Sequence, residues 1–228
     1  MVESREPRAP LTRKRLAVID DHPLVRRGLV TIITHEPDLE VCVEAATVKA
    51  GLEEIAAARP DLVTIDLLLR DRDGLELIRA IRQADPHLPV LVISTLEESI
   101  YAERAFRAGA RGYVTKTEAT DTVLVAVRRL LHGEQYISPK MSTWFAQQYL
   151  SGRASHGLSP MTTLSDRELE IFRLLGQNQT RGEIARKLHL SVKTVESHRA
   201  HIKEKLNIRS GVELHERAVQ WVRYGRDD

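Results

Sequence analysis

The sequence is poor in cysteine and aromatic residues, and it has no long apolar run. Its single cysteine, Cys42, has no partner in the chain, which excludes an intramolecular disulfide framework and a cysteine-based zinc site. No segment has the run of apolar residues that spans a bilayer, and the first residues, MVESREPRAPLTRKR, are charged where a secretory signal is apolar. We therefore expect a cytoplasmic protein with no membrane partner.

The length and the charge distribution indicate two domains. At 228 residues the chain exceeds the usual size of one domain. Residues 14–133 contain 16 Lys and Arg against 19 Asp and Glu, a net charge of −3. Residues 164–228 contain 13 against 10, a net charge of +3. Halves of opposite charge favour two different functions.

The first half alternates between short aliphatic runs and segments with helical spacing. This alternation predicts an α/β fold, a parallel sheet with helices on both faces, because parallel neighbours need crossover connections. In open sheets of this kind, ligands bind beyond the carboxyl ends of the strands. The predicted strands are LAVID (16–20), LEVCVEA (39–45), LVTID (62–66), VLVIS (90–94) and GYVT (112–115).

Three carboxylates, a hydroxyl and an ammonium group stand at these carboxyl ends. The first strand ends in Asp20 and Asp21, the third ends in Asp66, the fourth ends in Ser94, and Lys116 follows the fifth. We expect them to converge on one edge of the sheet. Neighbouring carboxylates repel each other, and a hard cation with oxygen ligands, such as Mg²⁺, would relieve that repulsion.

Four motifs in this half resemble those of a known family. The motifs IDDHPLVRRG, LVTIDLLLRDRDGLELIRAIR, PVLVIST and ARGYVTK are similar to those of receiver domains of two-component response regulators of the NarL/FixJ type. The resemblance covers residues 14–133 and implies a flavodoxin-like (βα)5 fold. It also implies that Asp66 accepts a phosphoryl group from a phosphohistidine of a sensor histidine kinase.

The same resemblance implies a set of Mg²⁺ ligands. Asp21 would bind the ion directly and Asp20 would bind it through water. Asp66 and the backbone carbonyl of Leu68 would complete the protein ligands. The expected cofactor is therefore Mg²⁺, held beside the phosphoryl group.

Three further residues are implied to act on the phosphoryl group. Lys116 would pair with the acyl phosphate, Ser94 would bond a phosphoryl oxygen, and Tyr113 would move inward behind it. Physically this is positioning and charge neutralisation around a transferring group. His22 lies beside the expected site, but a partly exposed histidine near a helix start is the simpler interpretation, and no chemistry is assigned to it.

The chain departs from the family pattern near the phosphoacceptor. Arg70 stands where most receivers have proline, which removes a fixed φ and adds a cation. Leu68 and Leu96 each stand two residues after a site residue, at positions from which family members influence attack of water on the phosphoaspartate. Neither has a polar side chain to orient water, so we expect slow loss of the phosphoryl group.

Less regular segments flank the first domain. Residues 1–13 are predicted to form a flexible tail. In the linker, 134–163, the spacing predicts a helix over 139–150, and the Ser, Gly and Pro content of 151–163 predicts a flexible tether.

The last segment, 164–228, has helical periodicity throughout. Ser165 and Ser191 are predicted N-caps, and Glu168 stands at the capping-box position after Ser165. A helix, a short turn and a second helix is the helix-turn-helix layout, in which the second helix enters the major groove. From Arg186 to Arg209 there are seven Lys and Arg against two Glu, and such cations bind DNA phosphates in a salt-dependent manner.

The motifs LSDRELEIFRLL and EIARKLHLSVKTVESHRAHIKEKL resemble the LuxR-type DNA-binding domain over about 164–222. Glu196 stands where some relatives carry a basic residue that reads bases; its carboxylate would accept from cytosine N4 or face solvent. The resemblance implies the following candidate DNA contacts: Lys193, Thr194, Ser197, His198, Arg199 and Lys205.

Two features of this domain leave alternatives open. His198 and His201 share a helix face and, with His189, offer nitrogen ligands to a metal, but no carboxylate or cysteine nearby in the sequence completes the set. The apolar face of the final helix, which includes Trp221, would serve dimerisation or would simply pack on the other helices.

The two resemblances together predict a DNA-binding transcription regulator switched by phosphorylation of Asp66. Its expected partners are a sensor histidine kinase, double-stranded DNA and, when phosphorylated, a second copy of itself. The alternative is a phosphorylation-independent regulator whose degenerate receiver serves as a dimer module. An enzyme is not expected, because a phosphatase would need an acid beside the nucleophilic aspartate and a substrate cap.

Overall fold

The computed structural model describes residues 13–69, 73–96, 98–118, 120–150, 163–188 and 190–224. Most of the predicted tail and tether lies outside these residues, as do Arg70 and His189. The chain forms two compact units, one up to Met141 and one from Ser142 onward. No helix in the described ranges has the length and apolar character needed to cross a membrane.

The first unit alternates strands and helices, as the sequence predicts. The elements are β1 (Lys14–Ile19), α1 (Pro23–Thr34), β2 (Leu39–Ala45), α2 (Val48–Ala58), β3 (Leu62–Ile65), α3 (Gly74–Ala84), β4 (Val90–Ser94), α4 (Glu98–Ala108), β5 (Gly112–Thr115) and α5 (Thr120–Leu131). The central strands β3 and β4 are fully buried, whereas β2 at the sheet edge is partly exposed, and the helices bury apolar residues along one side.

The five strands form one parallel sheet in the order β2-β1-β3-β4-β5. This is the flavodoxin-like order, and it confirms the predicted fold class. The chain reverses its direction of winding between β1 and β3, which opens a crevice beyond their carboxyl ends. Asp20 and Asp66, the residues immediately after β1 and β3, therefore flank that crevice.

A helix, α6 (Pro139–Leu150), follows the sheet at the position predicted for the linker helix. Ser138 caps the N-terminus of this helix, because the Ser138 hydroxyl accepts from the Met141 N–H at 3.1 Å. The same hydroxyl donates to Glu98 Oε2 at 2.5 Å, and both side chains are buried. The first turn of α4 is thus tied to the first turn of α6.

After α6, the described residues of the second unit form four helices: α7 (Asp166–Gly176), α8 (Arg181–Lys187), α9 (Val192–Lys205) and α10 (Gly211–Tyr224). Ser165 and Ser191 cap α7 and α9, as predicted, and Ser165 forms a full capping box with Glu168. Thr180 and Glu183 form a second capping box at α8. The short α8 followed by α9 is the predicted helix-turn-helix.

The apolar face of α10 packs inside this unit. Leu214 and Ala218 are fully buried, and the Trp221 ring lies 5.8 Å from the Phe172 ring, centroid to centroid. The packing alternative is therefore the observed one for these residues. A dimer face on α10 would have to use other side chains, because these are already covered.

Candidate functional site

The Asp66 carboxylate is held from two sides at the carboxyl end of β3. Ser94 donates its hydroxyl to Asp66 Oδ1 at 2.7 Å, and the Lys116 ammonium donates to Asp66 Oδ2 at 2.6 Å. Asp66 is almost fully buried. Asp66 thus contacts one residue 28 positions later in the sequence and another 50 positions later. The position of these residues at strand ends predicts this convergence.

Lys116 also binds the neighbouring carboxylate. Its Nζ lies 2.7 Å from Asp20 Oδ2, so one ammonium bridges two buried carboxylates. Burial raises the pKa of Asp20; the Lys116 charge opposes that rise and the Asp66 charge adds to it. Burial works against the charge on Lys116, but the two carboxylates outweigh it and raise the pKa of that ammonium.

Asp21 and His22 complete the crevice on the β1 side. Asp21 is buried, and His22 Nδ1 lies 2.8 Å from Asp21 Oδ1 and 3.8 Å from Asp66 Oδ2. One ligand atom from each of Asp20, Asp21, His22 and Asp66 lies within 4.8 Å of the others. A donor set of three carboxylates fits a hard cation such as Mg²⁺.

The loop after Asp66 passes very close to the start of α3. The Leu68 N–H donates to Asp66 Oδ1 at 3.2 Å, and the Gly74 N–H donates to the Leu67 carbonyl at 3.0 Å. A Cβ on Gly74 would overlap the Asp66 carbonyl oxygen and come within 2.7 Å of Leu67 Cα. Only glycine fits there, so Gly74 determines the path of the chain immediately after β3.

Tyr113 and Ser94 already occupy inward positions in this structure. Tyr113 is fully buried, and its hydroxyl donates to the Leu96 carbonyl at 3.0 Å. The Leu96 N–H in turn approaches Ser94 Oγ at 3.4 Å. The expected inward movement of Tyr113 is therefore not required from this conformation, because the tyrosine is inside.

The six candidate DNA contacts lie on the recognition helix α9, but they differ in their surroundings. Lys193 and Ser197 are exposed, and Thr194 bonds to the N-cap hydroxyl of Ser191 at 2.8 Å. His198 and Arg199 are partly buried, and Lys205 is exposed but donates to Glu168 of α7. Lys193 and Ser197 therefore form an exposed surface in the first half of α9.

Two of the predicted cations on α9 are already paired with carboxylates. Arg199 donates to Glu196 Oε1 at 2.9 Å, and Arg181 of α8 donates to the same oxygen at 3.0 Å. Lys205 donates to Glu168 Oε2 at 2.6 Å. Glu196 therefore lies between two guanidinium groups, an arrangement that neither sequence alternative for it anticipates.

Comparisons with known proteins match both the α/β unit and the helical unit to known families. A family model described as "Response regulator receiver domain" matches residues 16–128, and one described as "Bacterial regulatory proteins, luxR family" matches residues 162–218. The oxygen regulatory protein NreC of Staphylococcus epidermidis is 33% identical over 211 residues, which cover 90% of this chain and 97% of NreC. This chain belongs to the response regulator family.

Solved structures are similar to this response regulator as well. A LuxR-family two-component response regulator from an Aurantimonas species has a TM-score of 0.57 at 33% identity and covers 61% of this chain and 99% of its own. RcsB from Salmonella enterica serovar Typhimurium, solved on promoter rprA with a phosphomimetic, has a TM-score of 0.56 at 21% identity over 91% of this chain and 99% of RcsB. The likeness to RcsB shows the fold alone.

The family consists of DNA-binding transcription regulators of the response regulator type rather than enzymes. This response regulator is accordingly a DNA-binding transcription regulator with a receiver domain and a LuxR-type helix-turn-helix. The predicted family and function class are confirmed.

Sequence reasoning missed two contacts of the acidic crevice. It assigned no chemistry to His22, yet His22 Nδ1 lies against Asp21, and its backbone N–H donates to Asp20 Oδ1 at 2.8 Å. Arg26, one turn into α1, donates to the Asp20 carbonyl oxygen at 2.6 Å. The adjacency of His22 to the carboxylate pair was a usable signal, whereas nothing in the sequence pointed to Arg26.

Replacing the exposed Lys193 by Ala should weaken DNA binding of this response regulator for all sequences alike. If Lys193 contacts one phosphate, the variant should also lower the slope of log affinity against log salt by about 1. Fluorescence anisotropy over a series of salt concentrations measures both. Lys49→Ala, on an exposed position of α2, removes the same charge away from α9 and should change neither. An unchanged slope for Lys193→Ala would remove Lys193 from the DNA interface.

Proposed function

We propose that this response regulator is activated when Asp66 takes a phosphoryl group from a phosphohistidine of a sensor histidine kinase. The observation that carries the proposal is the Asp66 carboxylate itself, with Ser94 at one oxygen and Lys116 at the other. In the transfer, an Asp66 oxygen forms a bond to phosphorus as the bond from phosphorus to the histidine nitrogen breaks. The cations around Asp66 stabilise the charge on the phosphoryl oxygens.

The proposed metal ligands are Asp21 directly, Asp20 through water, Asp66 and the Leu68 carbonyl. Their support is the convergence of three buried carboxylates within a few ångström of one another. When bound, Mg²⁺ would neutralise charge between the carboxylates and the phosphoryl oxygens. The His22 ring at the rim would hold Asp21 in place through its Nδ1 contact.

The other site residues are proposed to respond to the new charge. Lys116 would pair with the acyl phosphate and loosen its hold on Asp20, and Ser94 would bond a phosphoryl oxygen. Tyr113, through its bond to the Leu96 carbonyl, would hold the β4–α4 connection in its inward arrangement. The bond from Glu98 to Ser138 gives this change a route from α4 to the linker helix α6.

We propose that the output is a dimer bound to double-stranded DNA in the cytoplasm. Phosphorylation would shift the face formed by α4, β5 and α5 and favour association of two copies, with their recognition helices presented to two half-sites. This is a shift between existing populations, so unphosphorylated protein should bind DNA weakly. The complete pocket around Asp66 supports this proposal over a degenerate receiver used only for dimerisation.

Intact mass after incubation with Mg²⁺ and acetyl phosphate tests the phosphoacceptor. The wild-type chain should gain a single phosphoryl adduct, and Asp66→Ala should gain none. Asp61→Ala is a matched control, since Asp61 is a partly exposed carboxylate at the opposite, amino end of β3, bonded to Lys14 and to the Arg15 N–H, and should not affect the adduct. An adduct that persists in Asp66→Ala would place phosphorylation elsewhere.

The phosphoryl group should be lost slowly without a phosphatase. Leu68 and Leu96 offer no polar side chain to orient a water molecule, and the Leu96 side chain is buried. Following the adduct by mass after removal of acetyl phosphate measures the rate. Leu68→Asn should shorten the lifetime by giving water a hydrogen-bond partner beside Asp66. Loss of the wild-type adduct within seconds would contradict this expectation.

A further inference from the structure

A second cluster of metal-ligand side chains lies in the DNA-binding unit. Glu168 of α7 and His198 and His201 of α9 each place one ligand atom within 4.8 Å of the other two. The two histidines stand three residues apart and so share one face of α9. The sequence indicated the histidine pair but no carboxylate partner. Glu168 is distant in sequence and comes close to the histidines only because α7 packs on α9.

The two oxygens of Glu168 have different surroundings. Oε2 accepts from the Ser165 N–H at 2.7 Å and from Lys205 at 2.6 Å. Oε1 lies 3.9 Å from His201 Nδ1. These two donors hold Oε2 in place and leave Oε1 on the side of His201.

His198 offers a ring nitrogen that is available to bind an ion. Its Nδ1 is buried and has no hydrogen-bond partner among the residues that the structure describes. His201 is 61% exposed, so its ring can turn toward Glu168 without disturbing the fold.

We propose that Glu168, His198 and His201 bind Zn²⁺, with a solvent molecule as the fourth ligand. Two imidazoles and a carboxylate are ligands that suit zinc, whereas Mg²⁺ and Ca²⁺ prefer oxygen alone. Two ligand atoms at tetrahedral zinc lie about 3.3 Å apart, given bonds of about 2.0–2.1 Å. The exposed His201 ring, with its Nδ1 at 3.9 Å from Glu168 Oε1, is close to that separation and is free to move toward it.

The Lys205 ammonium beside Glu168 is compatible with zinc binding. Lys205 stays on Glu168 Oε2 and leaves Oε1 to the ion, so its salt bridge and the Ser165 cap need not break. Bound Zn²⁺ would join the start of α7 to the middle of the recognition helix. It would also engage His198, so zinc and DNA would compete for any contact that this side chain makes.

Titration of the full chain with Zn²⁺, in excess Mg²⁺ that occupies the acidic crevice, tests the site. Histidine ring resonances of His198 and His201 should shift together in NMR spectra and saturate at one equivalent. In calorimetry, His201→Gln should bind zinc at least about 10-fold more weakly, since loss of even an outer partner of a zinc ligand costs that much. His215→Gln, on α10 of the same unit, should bind as the wild type does.

Other outcomes overturn the proposal. Zinc affinity that is equal in wild type and His201→Gln excludes His201, and His198→Gln gives the same test for the second ligand. Shifts confined to His22 would mean that zinc enters the acidic crevice only. Because His201 is exposed, unchanged melting of His201→Gln without metal will show that the variant folds.

Discussion

Replacing Lys116 by Met should destabilise the receiver domain by about 3–5 kcal/mol at neutral pH. Lys116 is nearly buried, and its ammonium lies 2.7 Å from Asp20 and 2.6 Å from Asp66. Methionine keeps the length of the side chain but leaves two buried carboxylates side by side with no cation between them. Urea unfolding without Mg²⁺ measures the loss.

The pH dependence of this variant distinguishes charge from packing. Burial already raises the pKa of Asp20 above its value in the unfolded chain, and loss of the lysine charge raises it further. The native state then binds the proton more tightly than the unfolded state, so the stability of Lys116→Met should fall as pH rises through that range. Mg²⁺ should restore part of the stability, because the proposed ion would bind the native carboxylates and not the unfolded chain.

A surface lysine provides the control for this experiment. Lys14 pairs with Asp61 at 3.0 Å, but its side chain is half exposed. Lys14→Met should cost no more than about 1 kcal/mol and should show no rescue by Mg²⁺. If Lys116→Met is no worse than Lys14→Met, the bridge between Asp20 and Asp66 does not stabilise the pocket.

Replacing Gly74 by Ala should impair both folding and phosphorylation. The added Cβ would overlap the Asp66 carbonyl, and neither that backbone nor Leu67 can move aside without shifting the end of β3. We expect a loss of about 1–3 kcal/mol. We also expect a lower rate of adduct formation with acetyl phosphate, because the Asp66 carboxylate moves away from Ser94 and Lys116.

Gly28 in α1 is the matched position for comparison. A Cβ there meets nothing within 4 Å, and alanine favours a helix, so Gly28→Ala should be neutral or stabilising by up to about 1 kcal/mol. Urea unfolding measures the stability of both variants. Mass spectrometry under conditions where both are folded then shows whether Gly74→Ala loses adduct formation because the Asp66 carboxylate is displaced rather than because the chain is unfolded. Normal phosphorylation of Gly74→Ala would show that the loop tolerates the side chain.

The convergence of the acidic residues with Ser94 and Lys116 was predictable because these residues stand at strand ends. Asp20, Asp66 and Ser94 each terminate an apolar run, and a parallel sheet brings all such ends to one edge. The individual roles that the family resemblance implies for them stay predictions. The inward placement of Tyr113 could not be read from sequence, since a buried aromatic and a rotating one have the same spacing.

Contacts that depend on packing between helices could not be predicted from the sequence. Glu168 reads as a capping residue and is one, yet it also lies against His198 and His201 through the contact of α7 with α9. The pairing of Glu196 with Arg181 depends on the angle between α8 and α9. The face of α10 was ambiguous because an apolar stripe has the same period whether it packs inward or binds a partner.

The most direct test of the account measures DNA affinity before and after phosphorylation. The probe is a duplex that the chain itself selects from random-sequence DNA, and the protein is treated with Mg²⁺ and acetyl phosphate. We predict that phosphorylation tightens binding about 5- to 150-fold, the usual range of coupling between two sites, and that Asp66→Ala stays at the weak level. Equal, tight binding by untreated protein, phosphorylated protein and Asp66→Ala would contradict the proposed switch.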